Sequence, residues 1–296
     1  MQILAVIVTH NRSVLLKRCL EQLLLQTRMP DEILVVNNGS TDNTLEILND
    51  LNVTVVTQEN LGSAGGWHAG LDYAMKHNFN YCWLMDDDGY PEKNALRFLE
   101  TYFPEGYAGL SSLVISECNA NDLVFPMPRL NNDLHPTLFP HNRKMYGVES
   151  LPQNTEIYPF AHLFNGALLS ISAVKQVGNI NQDYFIMGDE VDYFYRLREY
   201  GGVGTLLKAL HFHPNVSMRP YSKVKIYYLL KNTIINHHKY MNLPWLRNTL
   251  VFAVILLRVL QRNGVAFFFS LIFDRQVLVL KAIIAGFRGH LGKDYK

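Results

Sequence analysis

The chain has 296 residues, 48% hydrophobic and 18% charged, with a formal net charge of +1. That much apolar material suits one large α/β domain with an appendage and excludes a disordered chain. Three widely spaced cysteines, Cys19, Cys82 and Cys118, form no CxxC pair, so neither a zinc nor a disulfide framework is supported and a reducing compartment is expected.

Residues 2–8 are a continuous apolar run, too short for a signal peptide and without a basic flank. They predict a first strand and a protein that stays in the cytoplasm. Leucines at helical spacing (Leu16, Leu20, Leu23, Leu24) predict a helix over 13–26, followed by a strand at 32–36. A polar turn from Asn37 to Asp42 leads to a helix over 44–52, a strand at 53–57, a glycine-rich loop from Asn60 to Gly66 and a helix over 67–76. The apolar run 79–85 then ends in Asp86, Asp87 and Asp88. Such alternation predicts a mostly parallel sheet with helices on both faces, whose ligands sit beyond the carboxyl ends of the strands. The polar clusters at 9–12, 37–42, 60–66 and 86–88 all fall at those ends and would line one cleft.

Six prolines between 119 and 160, Pro140 among them, predict a long excursion over the cleft that meets a variable substrate. Regular elements resume with a strand at 167–171, a helix from Asp189 to Tyr200 stopped by Gly201-Gly202, and a strand at 204–212. From Tyr227 onward the chain reads helical and apolar, and its charge changes sign. Residues 1–220 carry 15 basic and 24 acidic side chains, whereas 221–296 carry 12 and 2. Arg258 and Arg262, then Asp274 and Arg275, then Lys281 interrupt the apolar stretches. No window of about 20 uncharged apolar residues exists, so no spanning helix is expected. Arg258, Gln261 and Arg262 share a helical face, as do Lys281 and Arg288, which suits an amphipathic region lying on a membrane surface. Packing of amphipathic helices on the preceding domain is the plainer alternative. The aliphatic content of this tail favours lipid over nucleic acid.

Three acids closing an apolar strand, with no Lys or Arg beside them in sequence, repel one another. A divalent cation, Mn²⁺ or Mg²⁺, bridging them to the pyrophosphate of a nucleotide would relieve that repulsion. Asp88 as a helix N-cap, with Pro91 in the first turn, is the ordinary structural account, but it leaves Asp86 and Asp87 unexplained. The loop from Asn60 to Gly66 offers backbone amides unshielded by side chains, suited to a phosphate or sugar. It has neither GxGxxG nor GxxxxGK[ST] spacing, and a tight turn accounts for it equally well. Asp189, Glu190 and Asp192 open a helix, where acids complement the dipole and Asp192 pairs with Arg196 at i,i+4. Three acids in four residues beside Gly188 exceed what capping needs, so one of them is a candidate general base. His211 and His213 would share a strand face and offer a further metal ligand, against the simpler account of a structural strand histidine.

Taken in order, these segments resemble the family 2 glycosyltransferases of the GT-A fold over roughly residues 3–220. They are Val8 to Arg12, Val35 to Asp42, Asn60 to Gly66, Asp86 to Asp88, Asn165-Gly166-Ala167, Asp189 to Asp192 with Arg196, and His211/His213. The pairing of NLGSAGGW with WLMDDDG looks most like the galactofuranosyltransferase branch and its rhamnosyltransferase relatives, which build bacterial surface polysaccharides. The resemblance implies a Rossmann-like GT-A domain over 1–220 and a basic, apolar, membrane-associating helical region over 221–296. It implies a donor site of Thr9, Asn11, Arg12, Asn37, Asn60, Gly65, Gly66, Asp86 and Asp87, and a metal shell of Asp86, Asp88 and His211 or His213. Glu190 lands on the catalytic base, with Asp189 and Asp192 kept beside it, and Asn165, Gly166 and Trp67 on the acceptor side. Two positions depart from the family pattern: Asn37 stands where many relatives have Asp, which loosens the nucleobase assignment, and Glu190 replaces the usual Asp.

The expected activity is metal-dependent, inverting sugar transfer from a nucleotide sugar to a lipid-linked glycan of O-antigen or capsule at the cytoplasmic membrane face. UDP-galactofuranose is the favoured donor and dTDP-rhamnose the alternative. A nucleotidyltransferase would want a basic residue between Asn60 and Gly66, and none occurs. A non-catalytic glycan- or lipid-binding scaffold is opposed by the full acid set.

Overall fold

Alternate residues of the first strand, β1 (Ile3–Thr9), decide the layering. Ile3, Ala5 and Ile7 enter one apolar layer and Leu4, Val6 and Val8 the other, so the strand is buried on both faces. The computed structural model describes residues 1–138, 143–216, 218–273 and 277–295. Helix α1 (Ser13–Leu23) places Leu16, Cys19, Leu20 and Leu23 in the first layer. The chain continues through β2 (Glu32–Asn38), α2 (Thr44–Asn49) and β3 (Thr54–Gln58) to α3 (Gly62–Lys76), whose Ala64, Trp67, Leu71 and Ala74 fill the second layer.

Strand β4 (Tyr81–Asp86) is followed by the short β5 (Tyr90–Pro91), then α4 (Ala95–Thr101) and β6 (Tyr107–Ser116). Next come β7 (Asp122–Pro128), β8 (Lys144–Gly147), β9 (Ile157–Tyr158), β10 (Asn165–Ser170) and α5 (Ile171–Val177). Helix α6 (Asp189–Tyr200) and β11 (Gly202–His213) complete the sheet unit. The strand order is β3-β2-β1-β4-β10-β6-β11-β5. The sheet is parallel from β3 to β4 and between β6 and β11, while β10 runs against both its neighbours. That reversal places the start of β10 at the end of β4, with Asn165 opposite Met85.

The proline-rich excursion is in part an extension of the sheet. Strands β7 and β8 pair, and Leu123, Met127 and Met145 pack on Leu113 and Ile115 of β6. Pro140 lies outside the described residues.

Helix α7 (Lys223–Tyr240) is bonded directly into the sheet unit. The Asn232 amide nitrogen donates to the carbonyls of Tyr184, Ile186 and Met187, and that of Asn236 to Gly188. Helices α8 (Pro244–Ile272) and α9 (Leu278–Phe287) follow. Helix α8 is long and apolar enough to cross a membrane by length and composition alone, although Arg258 and Arg262 keep it from offering a window of about 20 uncharged apolar residues. Arg258 and Arg262 interrupt its sequence without ending the helix, because two cations four residues apart share one face and leave the others apolar. Gly264, at φ +83°, breaks the helical geometry near its end. Asp274 and Arg275 lie outside the described residues.

The loop glycines show why α3 sits where it does. The helix begins at Gly62 rather than Trp67, so Gly65 and Gly66 are helical. A Cβ on Gly66 would lie 2.4 Å from Val8 Cγ1, and one on Gly70 2.4 Å from Val6 Cγ1. These glycines let α3 press onto β1. Gly66→Val is therefore expected to destabilise the fold by about 1–3 kcal/mol in chemical denaturation, and adding Val8→Ala to recover part of that loss. Strict additivity of the two changes would show that the contact is not the reason for glycine.

Candidate active site

The acids that end β4 divide by depth. Asp87 and Asp88 are buried, whereas Asp86 is partly exposed at the mouth of the cleft. Asp87 accepts from Thr9 Oγ1 at 2.8 Å and from Arg12 at 2.9 Å. Asp88 accepts from His213 Nε2 at 2.9 Å, from Arg12 at 3.1 Å and from Arg219 at 3.0 Å. The acid run that looks bare in sequence is thus compensated in space: the positive charge expected beside it comes, for Asp87 and Asp88, from the chain's own Arg12, His213 and Arg219. Burial alone would raise the Asp88 carboxyl, but His213, Arg12 and Arg219 more than offset it and hold it below the ordinary range. Asp86 goes the other way: burial, then the charges of Asp88 and Asp87, push its carboxyl well up.

Across the cleft, Glu190 stands in the first turn of α6. One of its oxygens accepts from Leu163 N at 2.6 Å and Phe164 N at 3.3 Å. The carbonyl of the same Phe164 accepts from the backbone N–H of Asp86 at 2.8 Å. A single residue therefore spaces the two carboxylate-bearing elements, and the charge of Glu190 contributes to the upward shift of Asp86. Burial and then Asp189 push Glu190 up to about 7, against the lowering effect of the Leu163 and Phe164 N–H groups. Asp189 is buried, is raised to about 6 by that burial, and accepts from Ser63 Oγ at 3.3 Å.

The loop before Glu190 is held in an uncommon shape, with Phe185 at φ +62°, Met187 at +63° and Gly188 at +92°. The four bonds from Asn232 and Asn236 fix it.

Asp192 is not in this hollow, which corrects its place beside Glu190. Two residues along a helix turn a side chain through about 200°, and Asp192 is committed to Arg196 (2.9 Å), Lys239 (2.8 Å) and Tyr240 (2.7 Å). Trp67 has no exposed surface and stacks on Phe164 with centroids 4.6 Å apart, so it cannot touch an acceptor. Asn165 and Gly166 are likewise buried beneath the cleft, Gly166 with its carbonyl accepting from Ser112. Gly65 and Gly66 are enclosed under Leu61 and Val8, which removes them from a phosphate cradle.

The ends of β1, β2 and β3 and the loops that follow them carry polar side chains that bind the chain's own backbone. Asn11 Oδ1 accepts from Thr41 N (2.7 Å) and Asp42 N (3.3 Å), and Asn37 Oδ1 from Ser40 N (3.0 Å). Asn37 Nδ2 is buried with no partner among the described residues. Asn60 closes a turn onto Gly62 N (2.9 Å) and meets His10 at 3.2 Å, and its carbonyl accepts from Lys293 at 3.1 Å. Asn38, absent from the sequence reading, pins this loop through Leu61 N and the Gly62 carbonyl. Arg219, Lys293 and Arg18, which donates to the Asp88 carbonyl at 2.7 Å, were also missed, as nothing in their local sequence marks them, and Ser63 was not singled out within the Asn60 to Gly66 loop.

The metal shell of Asp86 and Asp88 with His211 or His213 is not assembled. Among the described residues no group of three His, Cys, Asp or Glu side chains is arranged to hold an ion. His213 is spent on Asp88 and on the Pro214 carbonyl. His211 is fully buried between Gly89 and Gly166, with neither ring nitrogen partnered among the described residues, and burial lowers it to about 3. What fits a hard dication is the open carboxylate of Asp86 with Asp88 beside it. One or two carboxylates completed by substrate phosphates is a common Mg²⁺ arrangement.

Residues 4–166 match the glycosyl transferase family 2 domain. The chain belongs to the family 2 glycosyltransferases. It is 32% identical over 226 residues to galactofuranosyltransferase GlfT1 of Mycolicibacterium smegmatis, covering 71% of this chain and 70% of that protein. The GlfT1 of Mycobacterium tuberculosis is 34% identical over 221 residues, covering 72% and 70%. Among solved structures, TarS of S. aureus in complex with UDP superposes with a TM-score of 0.56 at 16% identity, covering 98% of this chain and 81% of that one. The mannosyltransferase PcManGT of Pyrobaculum calidifontis, in complex with GDP-Man and Mn²⁺, gives 0.54 at 15%, covering 98% and 86%. These similarities show the GT-A fold.

The glycosyltransferase's raised Glu190 has a thermodynamic consequence. A carboxyl at about 7 when folded and near 4.5 when unfolded binds more protons in the folded state between those values, so stability falls as pH rises through that window. Glu190→Gln is expected to raise Tm at pH 8 and leave it unchanged at pH 4. An equal Tm at both pH values would mean that Glu190 is not held in its neutral form.

Proposed function

We propose that this enzyme moves galactofuranose from UDP-galactofuranose to a hydroxyl of a lipid-linked glycan, with inversion, during bacterial surface polysaccharide synthesis. The observation that carries the reading is the opposition of Asp86 and Glu190 across Phe164, an open acid on the donor side facing a near-neutral acid on the other. Similarity to GlfT1 supports the sugar, and the UDP complex of a structural neighbour supports a nucleotide donor.

Arg12 and Arg219, each nearly half exposed, are poised to turn from Asp88 toward a donor diphosphate. Asp86, with Asp88, would hold Mn²⁺ or Mg²⁺, which supplies charge neutralisation for the departing diphosphate. Glu190 takes the proton of the attacking hydroxyl. A base at about 7 matches neutral pH, and its anchored oxygen leaves the other free to face the acceptor.

The enzyme works at the inner face of the membrane without crossing it. Both ends of the straight part of α8 are tied to the body: Arg247 donates to the Pro136 carbonyl, Asn248 meets His237, and Asn263 pairs with Tyr221. That leaves about 24 Å of helix lying along the domain.

A donor screen with UDP-galactofuranose and dTDP-rhamnose on a lipid-linked acceptor, scored by mass spectrometry, tests the sugar; transfer from dTDP-rhamnose alone would reject galactofuranose. Glu190→Gln is expected to lower kcat about 10²- to 10⁴-fold with UDP affinity unchanged. In the unaltered enzyme, kcat/KM should climb with pH to a plateau above about 7. Asp86→Asn is expected to abolish any stimulation by Mn²⁺ or Mg²⁺, and a metal response that survives this change would place the ion elsewhere.

A further inference from the structure

A line of cations leads from the carboxylate cluster to α8. Arg219 touches Asp88 at one end. Two residues on, Tyr221 is fixed by the side-chain amide of Asn263, whose oxygen accepts from Tyr221 N at 3.0 Å and whose nitrogen donates to Tyr221 O at 2.8 Å. The Tyr221 ring carries Arg262 of α8 at 4.8 Å and Lys225 of α7 at 5.8 Å. Arg258 lies one turn from Arg262 on α8, near Lys144 of β8.

Among the described residues no carboxylate lies within ion-pair distance of Lys144, Lys225, Arg258 or Arg262. Burial, then Arg262, Arg219 and Arg12, lower the Lys225 ammonium; burial, then Arg258 and Arg143, lower Lys144 to about 8. Cations gathered against their mutual repulsion suit an anion of more than one charge. Beside them α8 exposes Leu257, Val265 and Phe269, its C-cap Phe273 is exposed as well, and α9 exposes Leu280 and Ile284. A polyanion that arrives joined to a hydrocarbon chain satisfies both surfaces at once.

We propose that the row of cations Lys144, Lys225, Arg258 and Arg262 receives the diphosphate of the lipid-linked acceptor, with its hydrocarbon along the exposed apolar side chains of α8. The inference rests on the reading of a lipid-linked acceptor given above. It goes beyond that reading in naming the group recognised, and it places the glycan end of the acceptor on the Arg219 side, toward Asp86 and Glu190.

Binding can be read without any sugar transfer, so this inference and the choice of donor fail separately. The full chain, with excess UDP present to fill the donor site, is titrated with detergent micelles carrying farnesyl diphosphate, farnesol or phosphatidylglycerol. The diphosphate micelles are expected to bind at least about tenfold more tightly than either control. The double variant Lys225→Gln, Arg262→Gln should lose that margin while keeping its UDP affinity and melting temperature. Retention of the margin by the variant would overturn the assignment. Equal affinity for phosphatidylglycerol would also overturn it, showing a general attraction to anionic lipid instead.

Discussion

Negative charge concentrated at the end of one buried strand is the constraint around which this enzyme is arranged. Unpaired carboxylates at that depth would be protonated or would open the fold. The chain brings Thr9 and Arg12 from the end of β1, His213 from the end of β11 and Arg219 from the loop beyond it to meet Asp87 and Asp88. Asp86 alone is left without a cation, and it is the one that opens to the cleft. Compensation of two acids therefore fixes the position of the third.

The same economy governs the opposite wall. Glu190 is aimed by two backbone N–H groups, one of them belonging to the residue whose carbonyl binds Asp86 N–H, so any shift of β4 carries the Glu190 contact with it. Behind Glu190, a loop with three positive φ values would not keep its shape alone. Asn232 and Asn236 of α7 supply the donors that hold it. A helix that looks in sequence like part of a membrane appendage is in this respect a support for the catalytic wall. The polar ends of β1, β2 and β3 and the loops that follow them do the same: Asn11, Asn37, Asn38 and Asn60 bind neighbouring backbone and so preorganise the cleft.

Much of this was legible in the residues themselves. The βα alternation, the helix from Asp189 to Tyr200, the acid run at the end of β4 and the cluster of three candidate bases at the start of α6 all rest on patterns within a few residues; the choice of Glu190 among them comes from the family resemblance. The misreadings share a cause. Glycines in NLGSAGGW signal close approach, but sequence does not say to what; Gly66 approaches Val8, not a phosphate. Trp67 was placed on the acceptor side because a large ring beside a glycine loop is ambiguous until its burial against Phe164 is known. Asp192 and Glu190 are near-identical as sequence and point apart on the helix.

The sequence by itself determined the strand–helix alternation from β1 to β4, the strands β10 and β11, the helix α6 and the gathering of acids at the strand ends, because apolar periodicity and local charge are properties of neighbours along the chain. It also determined that residues 221–296 are basic and apolar. Only the tertiary structure decided which acids are satisfied and which stay open, since Arg12, His213 and Arg219 reach Asp88 from positions 76, 125 and 131 residues away. It likewise decided that Arg262 packs over the Tyr221 ring. Charge compensation acts through space, and no local window of sequence contains both partners.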